Sequence, residues 1–239
     1  MNKVTAKEGL NRLVDGNRRY VSNLISLKSI SHGEKRPTLV AAQNPFAIVL
    51  SCSDSRVPSE IVFDQGLGDL FVIRVAGNIV APSIIGSIEF AASTFGTQLV
   101  VVMGHSKCGA VSAALDCQLK GHEVPSENIR DIVDRITPSI KPVLDKIKAP
   151  KLVNRDELLD LCIHSNTEAS IQHVKSGSQI IRNLILENKL EIVGAEYCLT
   201  TGKVIFFKPN SDSEISETLI DDNRRHRHET IMQEPINVI

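Results

Sequence analysis

With 239 residues, 42% of them hydrophobic, the chain is long enough for one domain with a sizeable core. Its 27 basic and 28 acidic side chains leave no imbalance that would draw it to nucleic acid or an anionic membrane. No apolar run reaches bilayer length, and Met1-Asn-Lys-Val-Thr-Ala-Lys-Glu8 lacks the apolar core of a secretory signal, so a cytoplasmic protein acting on a small molecule is expected.

The first predicted element is an amphipathic helix from Thr5 to about Leu24, with Leu10, Leu13, Val14, Tyr20 and Val21 on its apolar stripe and Asn17 interrupting it. A helix lying before the first strand must find an apolar surface, and a partner subunit can provide one. Ser26 to Pro37 reads as a polar connector, with His32 in solvent. The first strand is Phe46 to Ser51, followed by a short helix from Pro58 to Phe63. Asp64-Gln-Gly66-Leu-Gly68-Asp69 precedes a strand instead of a helix and so makes no phosphate cradle. A second strand, Leu70 to Val75, ends at Ala76-Gly-Asn78. A helix capped by Pro82 and Ser83 runs to about Thr94, and a third strand spans Gln98 to Met103.

This β-α-β-α-β-α order predicts a mostly parallel sheet with right-handed crossovers and flanking helices. Helical segments follow around Pro138 and Pro142, then one long helix from Asp156 to Glu187 on which His164 and His173 are structural. Leu190 to Tyr197 and Lys203 to Phe207, joined by Thr200-Thr-Gly202, predict a hairpin that adds an antiparallel edge. Beyond Pro209 the chain is charged, and Arg224-Arg-His-Arg-His228 reads as solvated tail rather than as a nickel or phosphate site. The expected division is a helical arm and connector over 1–38, an α/β catalytic domain over 39–208 and a tail over 209–239.

Five cysteines, an odd number, argue against a disulfide framework. Cys162 and Cys198 sit in apolar contexts and read as core, while Cys117 lies further along the helix that follows Cys108 and points elsewhere. Two cysteines remain, each at a strand end. Leu99-Val-Val-Val-Met103 runs into Gly104-His105-Ser-Lys-Cys108, and Phe46-Ala-Ile-Val-Leu-Ser51 runs into Cys52-Ser-Asp54-Ser-Arg56. Open α/β sheets carry their sites at the carboxyl ends of strands, so Cys52, His105 and Cys108 are expected around one ion. Two thiolates and an imidazole suit Zn2+, and three protein ligands leave a position for water, the mark of a catalytic site. An ion so held brings water to hydroxide near neutral pH, ready to attack an electrophilic carbon. Arg56 is placed to fork onto the Asp54 carboxylate, which then orients that water; released, Asp54 becomes a fourth ligand and closes the site.

Cys52-Ser-Asp-Ser-Arg56 and His105-Ser-Lys-Cys108-Gly109, with Phe71-Val-Ile-Arg-Val-Ala-Gly-Asn78 between them, resemble the β-class carbonic anhydrases from about Leu39 to Leu115, and more loosely to Phe207. The resemblance implies reversible hydration of carbon dioxide to bicarbonate, zinc on Cys52, His105 and Cys108, and an Asp54 and Arg56 dyad. It also implies a dimer or an assembly of dimers, with the N-terminal helix embracing the partner and the cleft at the subunit interface. Gln43, Phe71, Ala76 and Phe90 match the substrate pocket of the plant-like type, and Gly109 is expected to bind substrate with them. The bicarbonate-inhibited type carries Trp where Val49 stands here, so the resemblance points to the open site. Where the plant-like type has a candidate proton-shuttle His this chain has Thr94, and no shuttle is assigned.

Three other readings compete. The same pocket suits hydrolysis of carbon disulfide or carbonyl sulfide. Gly104-His-Ser106-Lys-Cys108 sits where a hydrolase's nucleophile elbow would, but Cys108 replaces the second glycine, and three residues between Cys52 and Arg56 are too few for a cysteine phosphatase loop. A catalytically inactive zinc-binding assembly subunit is the third, against which the intact Asp54, Arg56 and Gln43 argue.

Overall fold

A computed structural model describes residues 3–24, 39–40, 42–147 and 154–208. They fold around a five-stranded sheet. Its strands are β1 (Ala47–Ser51), β2 (Leu70–Arg74), β3 (Leu99–His105), β4 (Glu191–Tyr197) and β5 (Val204–Phe207), in the spatial order β2-β1-β3-β4-β5. All neighbours pair in parallel except β4 and β5, which form the expected antiparallel edge. The helices are α1 (Ala6–Val21), α2 (Ser59–Val62), α3 (Pro82–Phe90), α4 (Gly109–Lys120), α5 (Glu127–Lys146), α6 (Arg155–Gly177) and α7 (Gln179–Leu186).

β1 and β3 are buried along their whole length, which is why each reads as an unbroken apolar run. Successive side chains feed opposite faces. Ile48, Leu50, Val100 and Val102 pack with Ile171 and Val174 of α6 and Ile181 of α7. Ala47, Val49, Leu99, Val101 and Met103 pack with Leu13 of α1, Val62 of α2 and Phe63. A third cluster joins α4, α5 and α6 through Leu115, Ile136, Ile140 and Leu158, and reaches Cys52 and Cys108 at the carboxyl ends of the strands.

Thr5 starts α1 with a capping box, its side chain accepting from the Glu8 amide while the Glu8 carboxylate accepts from the Thr5 amide. The helix stops at Val21, and Leu24, expected on its stripe, is exposed. Its apolar face lies on this chain's own sheet, with Leu13 fully buried. The polar break in the stripe explains the seat. Asn17 is buried, donates to the carbonyls of Val62 (3.1 Å) and Gly202 (2.9 Å), and accepts from the Val204 amide (2.9 Å). One residue earlier, a Cβ on Gly16 would stand 1.8 Å from the Phe63 carbonyl, so only glycine allows this approach.

Three helix readings are corrected. The span from 156 to 187 is two helices, because the Ser178 backbone is extended and its hydroxyl accepts from the Ile181 amide, capping α7. Pro138 and Pro142 do not divide α5, where burial of Val133, Ile136 and Ile140 overrides the lost amide donors. α3 is preceded by Ala81 with no side-chain cap, so Ser83 does not serve as one, and Ala91–Phe95 continue as a wider π turn up to the left-handed Gly96. Cys162 is fully buried as expected, but Cys198 only partly. His32, the connector and the tail lie outside the described residues. No helix among the described residues is long and apolar enough to cross a membrane.

Candidate metal centre

β1 and β3 are adjacent and parallel, with Ser51 opposite Met103, so the residues that follow them emerge side by side. Cys52 leaves β1 directly. His105 is the last residue of β3 and still in the ladder, opposite Tyr197, while Cys108 occupies the N-cap position of α4. The turn between them closes through Lys107, whose backbone is left-handed (φ 55°). Ser106 ties that turn to β4, its amide donating to the Tyr197 carbonyl and its hydroxyl accepting from the Leu199 amide.

The Cys52 and Cys108 sulfurs and a His105 ring nitrogen lie within 4.8 Å of one another, and all three residues are at most 5% exposed. His105 Nδ1 pairs with the Ser106 carbonyl at 3.0 Å, which assigns the proton to Nδ1 and leaves the Nε2 lone pair free. Nε2 is buried with no hydrogen-bond partner. A buried acceptor without a donor is costly, and a cation shared with two sulfurs is the partner such an atom fits. The neighbouring Cys108 thiol draws the Cys52 thiol well below its ordinary range. Cys52 Sγ also accepts from the Gly77 amide at 3.3 Å. The donor set and its burial therefore fit zinc.

Asp54 and Arg56 lie at the rim. Arg56 Nε and Nη2 donate to the two Asp54 oxygens at 2.9 and 2.7 Å, and the Arg56 amide adds a third bond at 3.0 Å. This fork holds the Asp54 carboxyl far below the usual carboxylate range. Asp54 Oδ2 stands 4.0 Å from His105 Nε2 and faces the cluster while remaining clamped by Arg56. Arg74, read from sequence only as part of a strand, donates to the Cys52 carbonyl (3.1 Å) and the Asp54 carbonyl (2.5 Å), fixing the loop that carries both.

The remaining predicted residues divide. Ala76 adjoins Gly77, next to the Cys52 sulfur. Gly109 opens α4, with no atom within 4 Å of where a Cβ would stand, so the space beside Cys108 is free. Phe71 and Phe90 face each other at 6.4 Å, and Phe95, missed in the sequence, packs against both at 6.1 and 5.5 Å. Gln43 is exposed in the segment before β1 and, among the described residues, has no hydrogen bond to the cluster.

A mostly parallel, doubly covered sheet with a thiol and imidazole cluster at its carboxyl edge defines an α/β protein with a candidate metal site. Comparison with known proteins narrows the class. The family model described as carbonic anhydrase matches residues 47–204. A carbonic anhydrase of Mycolicibacterium smegmatis is 40% identical over 192 residues, 80% of this chain and 88% of that protein. Carbonic anhydrase 2 of Mycobacterium tuberculosis is 36% identical over 201 residues, 83% of this chain and 88% of its own length. In fold, a β-carbonic anhydrase of Sordaria macrospora superposes with a TM-score of 0.66 at 23% identity, over 83% of this chain and 96% of that one. The Coccomyxa β-carbonic anhydrase gives 0.64 at 23% identity, over 95% and 99%. The chain belongs to the carbonic anhydrase family, in its β class.

Proposed function

We propose that this chain reversibly hydrates carbon dioxide to bicarbonate and a proton, at a zinc ion held by Cys52, His105 and Cys108. The observation that carries the reading is the buried cluster of two sulfurs and an unpartnered imidazole nitrogen within 4.8 Å. Zinc, when bound, supplies the Lewis acidity that makes water a nucleophile near neutral pH. The chain's own residues do the rest. Asp54 Oδ2 faces the cluster and accepts a hydrogen bond from the attacking water, turning its lone pair toward the carbon. Arg56 occupies both carboxylate oxygens from the other side, so Asp54 orients rather than stores a proton. The Nδ1 bond to the Ser106 carbonyl fixes the His105 tautomer and ring, presenting the Nε2 lone pair to the cluster.

The apolar wall of Phe71, Ala76 and Phe90 suits a linear, uncharged molecule, and the open space beside Gly109 leaves room for it next to Cys108. Gln43 completes the pocket by donating its amide to the substrate. The protein works as a dimer or an assembly of dimers in the cytoplasm; the Sordaria enzymes are described as tetrameric. Zinc content and stopped-flow hydration, measured on one preparation, test the reading. The expected result is about one zinc per chain and hydration that falls as zinc is chelated. Metal-free protein with full activity overturns it.

A further inference from the structure

We infer that Asn166, with Ser170 one turn further along α6, is a positioning residue for this centre, holding the Gly77 and Asn78 turn in the conformation that aims the Gly77 amide at the Cys52 sulfur. The inference rests on Cys52 being a metal ligand. Two consecutive left-handed residues, Gly77 (φ 67°) and Asn78 (φ 43°), form the turn, and the second is not glycine. Such a backbone persists only where its surroundings impose it. Asn166 Nδ2 donates to the Gly77 carbonyl at 2.8 Å and Ser170 Oγ to the Asn78 carbonyl at 3.0 Å, across 89 and 92 residues of sequence. Both donors are at most 3% exposed.

The turn has little room to drift while these bonds hold. A Cβ on Gly77 would stand 2.8 Å from Ile136 Cδ1 and 3.1 Å from Ala110 Cβ. Without Asn166 the buried Gly77 carbonyl has no donor, and the left-handed turn from which the Gly77 amide reaches Cys52 loses its support. An amide bonded to a coordinated sulfur withdraws charge from it and fixes its direction, so the loss leaves a more electron-rich and less well placed ligand.

Cobalt(II) loaded into the full chain reads this directly through its thiolate-to-metal charge-transfer band. Asn166→Leu is expected to move the band to longer wavelength and to weaken metal binding, in competition with a chelator, by about 10- to 100-fold. Ser170→Ala, which removes one hydroxyl and serves if the first variant does not fold, is expected to shift both in the same direction by less. Asn166→Ser, keeping a short donor, is expected to recover part of the loss. A band and an affinity unchanged in both Asn166→Leu and Ser170→Ala overturn the inference while the metal reading stands. No thiolate band in the unsubstituted chain overturns both.

Discussion

The cluster and the aromatic wall proposed for its pocket are built to different standards. Cys52, His105 and Cys108 are buried, and every backbone segment that carries them is tied down, by Arg74, by Ser106 and by the Gly77 turn. In contrast, Phe90 is 53% exposed and leans on Phe71 and Phe95, which themselves pack against the core. Coordination fails when a ligand is misplaced by an ångström, whereas a wall need only exclude water. One chain thus supplies a preorganised centre and an aromatic group with one ring largely in solvent.

The contrast breaks first at the metal. Cys108→Ala is expected to weaken zinc binding beyond the roughly 100-fold typical of lost supporting bonds, with hydration at background. A variant retaining full zinc by elemental analysis removes Cys108 from the ligand set. Next, Asp54→Asn is expected to keep zinc yet lose about 100-fold or more in hydration, and an undiminished rate reduces the Arg56 pair to a salt bridge. On the wall, Phe90→Arg is expected to leave zinc content unchanged while weakening self-association by about 2 kcal/mol or more, read by sedimentation.

Two smaller effects lie outside both regions. Asn17→Ala is expected to cost roughly 1–3 kcal/mol in denaturant unfolding, because the carbonyls of Val62 and Gly202 and the Val204 amide lose their partner, with zinc affinity unaltered. Asp116 on α4 is the smallest. Burial pushes its carboxyl up, but Lys120 and Arg155 outweigh burial and hold it below its ordinary value. A depressed folded value gives stability that is present above the unfolded carboxylate range and is lost as pH falls through the folded value. Asp116→Asn is expected to flatten that acid limb by less than about 1 kcal/mol, seen as converging unfolding midpoints of variant and parent at low pH.

Local spacing made much of this legible. His105 and Cys108 share one turn, and Asp54 and Arg56 follow Cys52 closely enough for a fork to be read from the sequence. The β-α alternation likewise predicts the sheet, its order of connection and its antiparallel edge. What escaped is long-range. Arg74, Gly77 and Asn166 meet the Cys52 loop or its supporting turn only after folding, across 20 to 89 residues, and no periodicity announces such a bond. The break at Ser178 was signalled by a helix-ending glycine and a capping serine, yet the apolar spacing of α6 and α7 runs through it. Pro138 and Pro142 misled in the opposite sense, since tertiary burial won over local propensity.

The seat of α1 has a consequence for how the molecule is made. Asn17 bonds Gly202 and Val204, which follow it by 185 and 187 residues. The helix is therefore fully seated only once a hairpin 185 residues further along has been made, and its Asn17 amide stays unpartnered there over that stretch of synthesis.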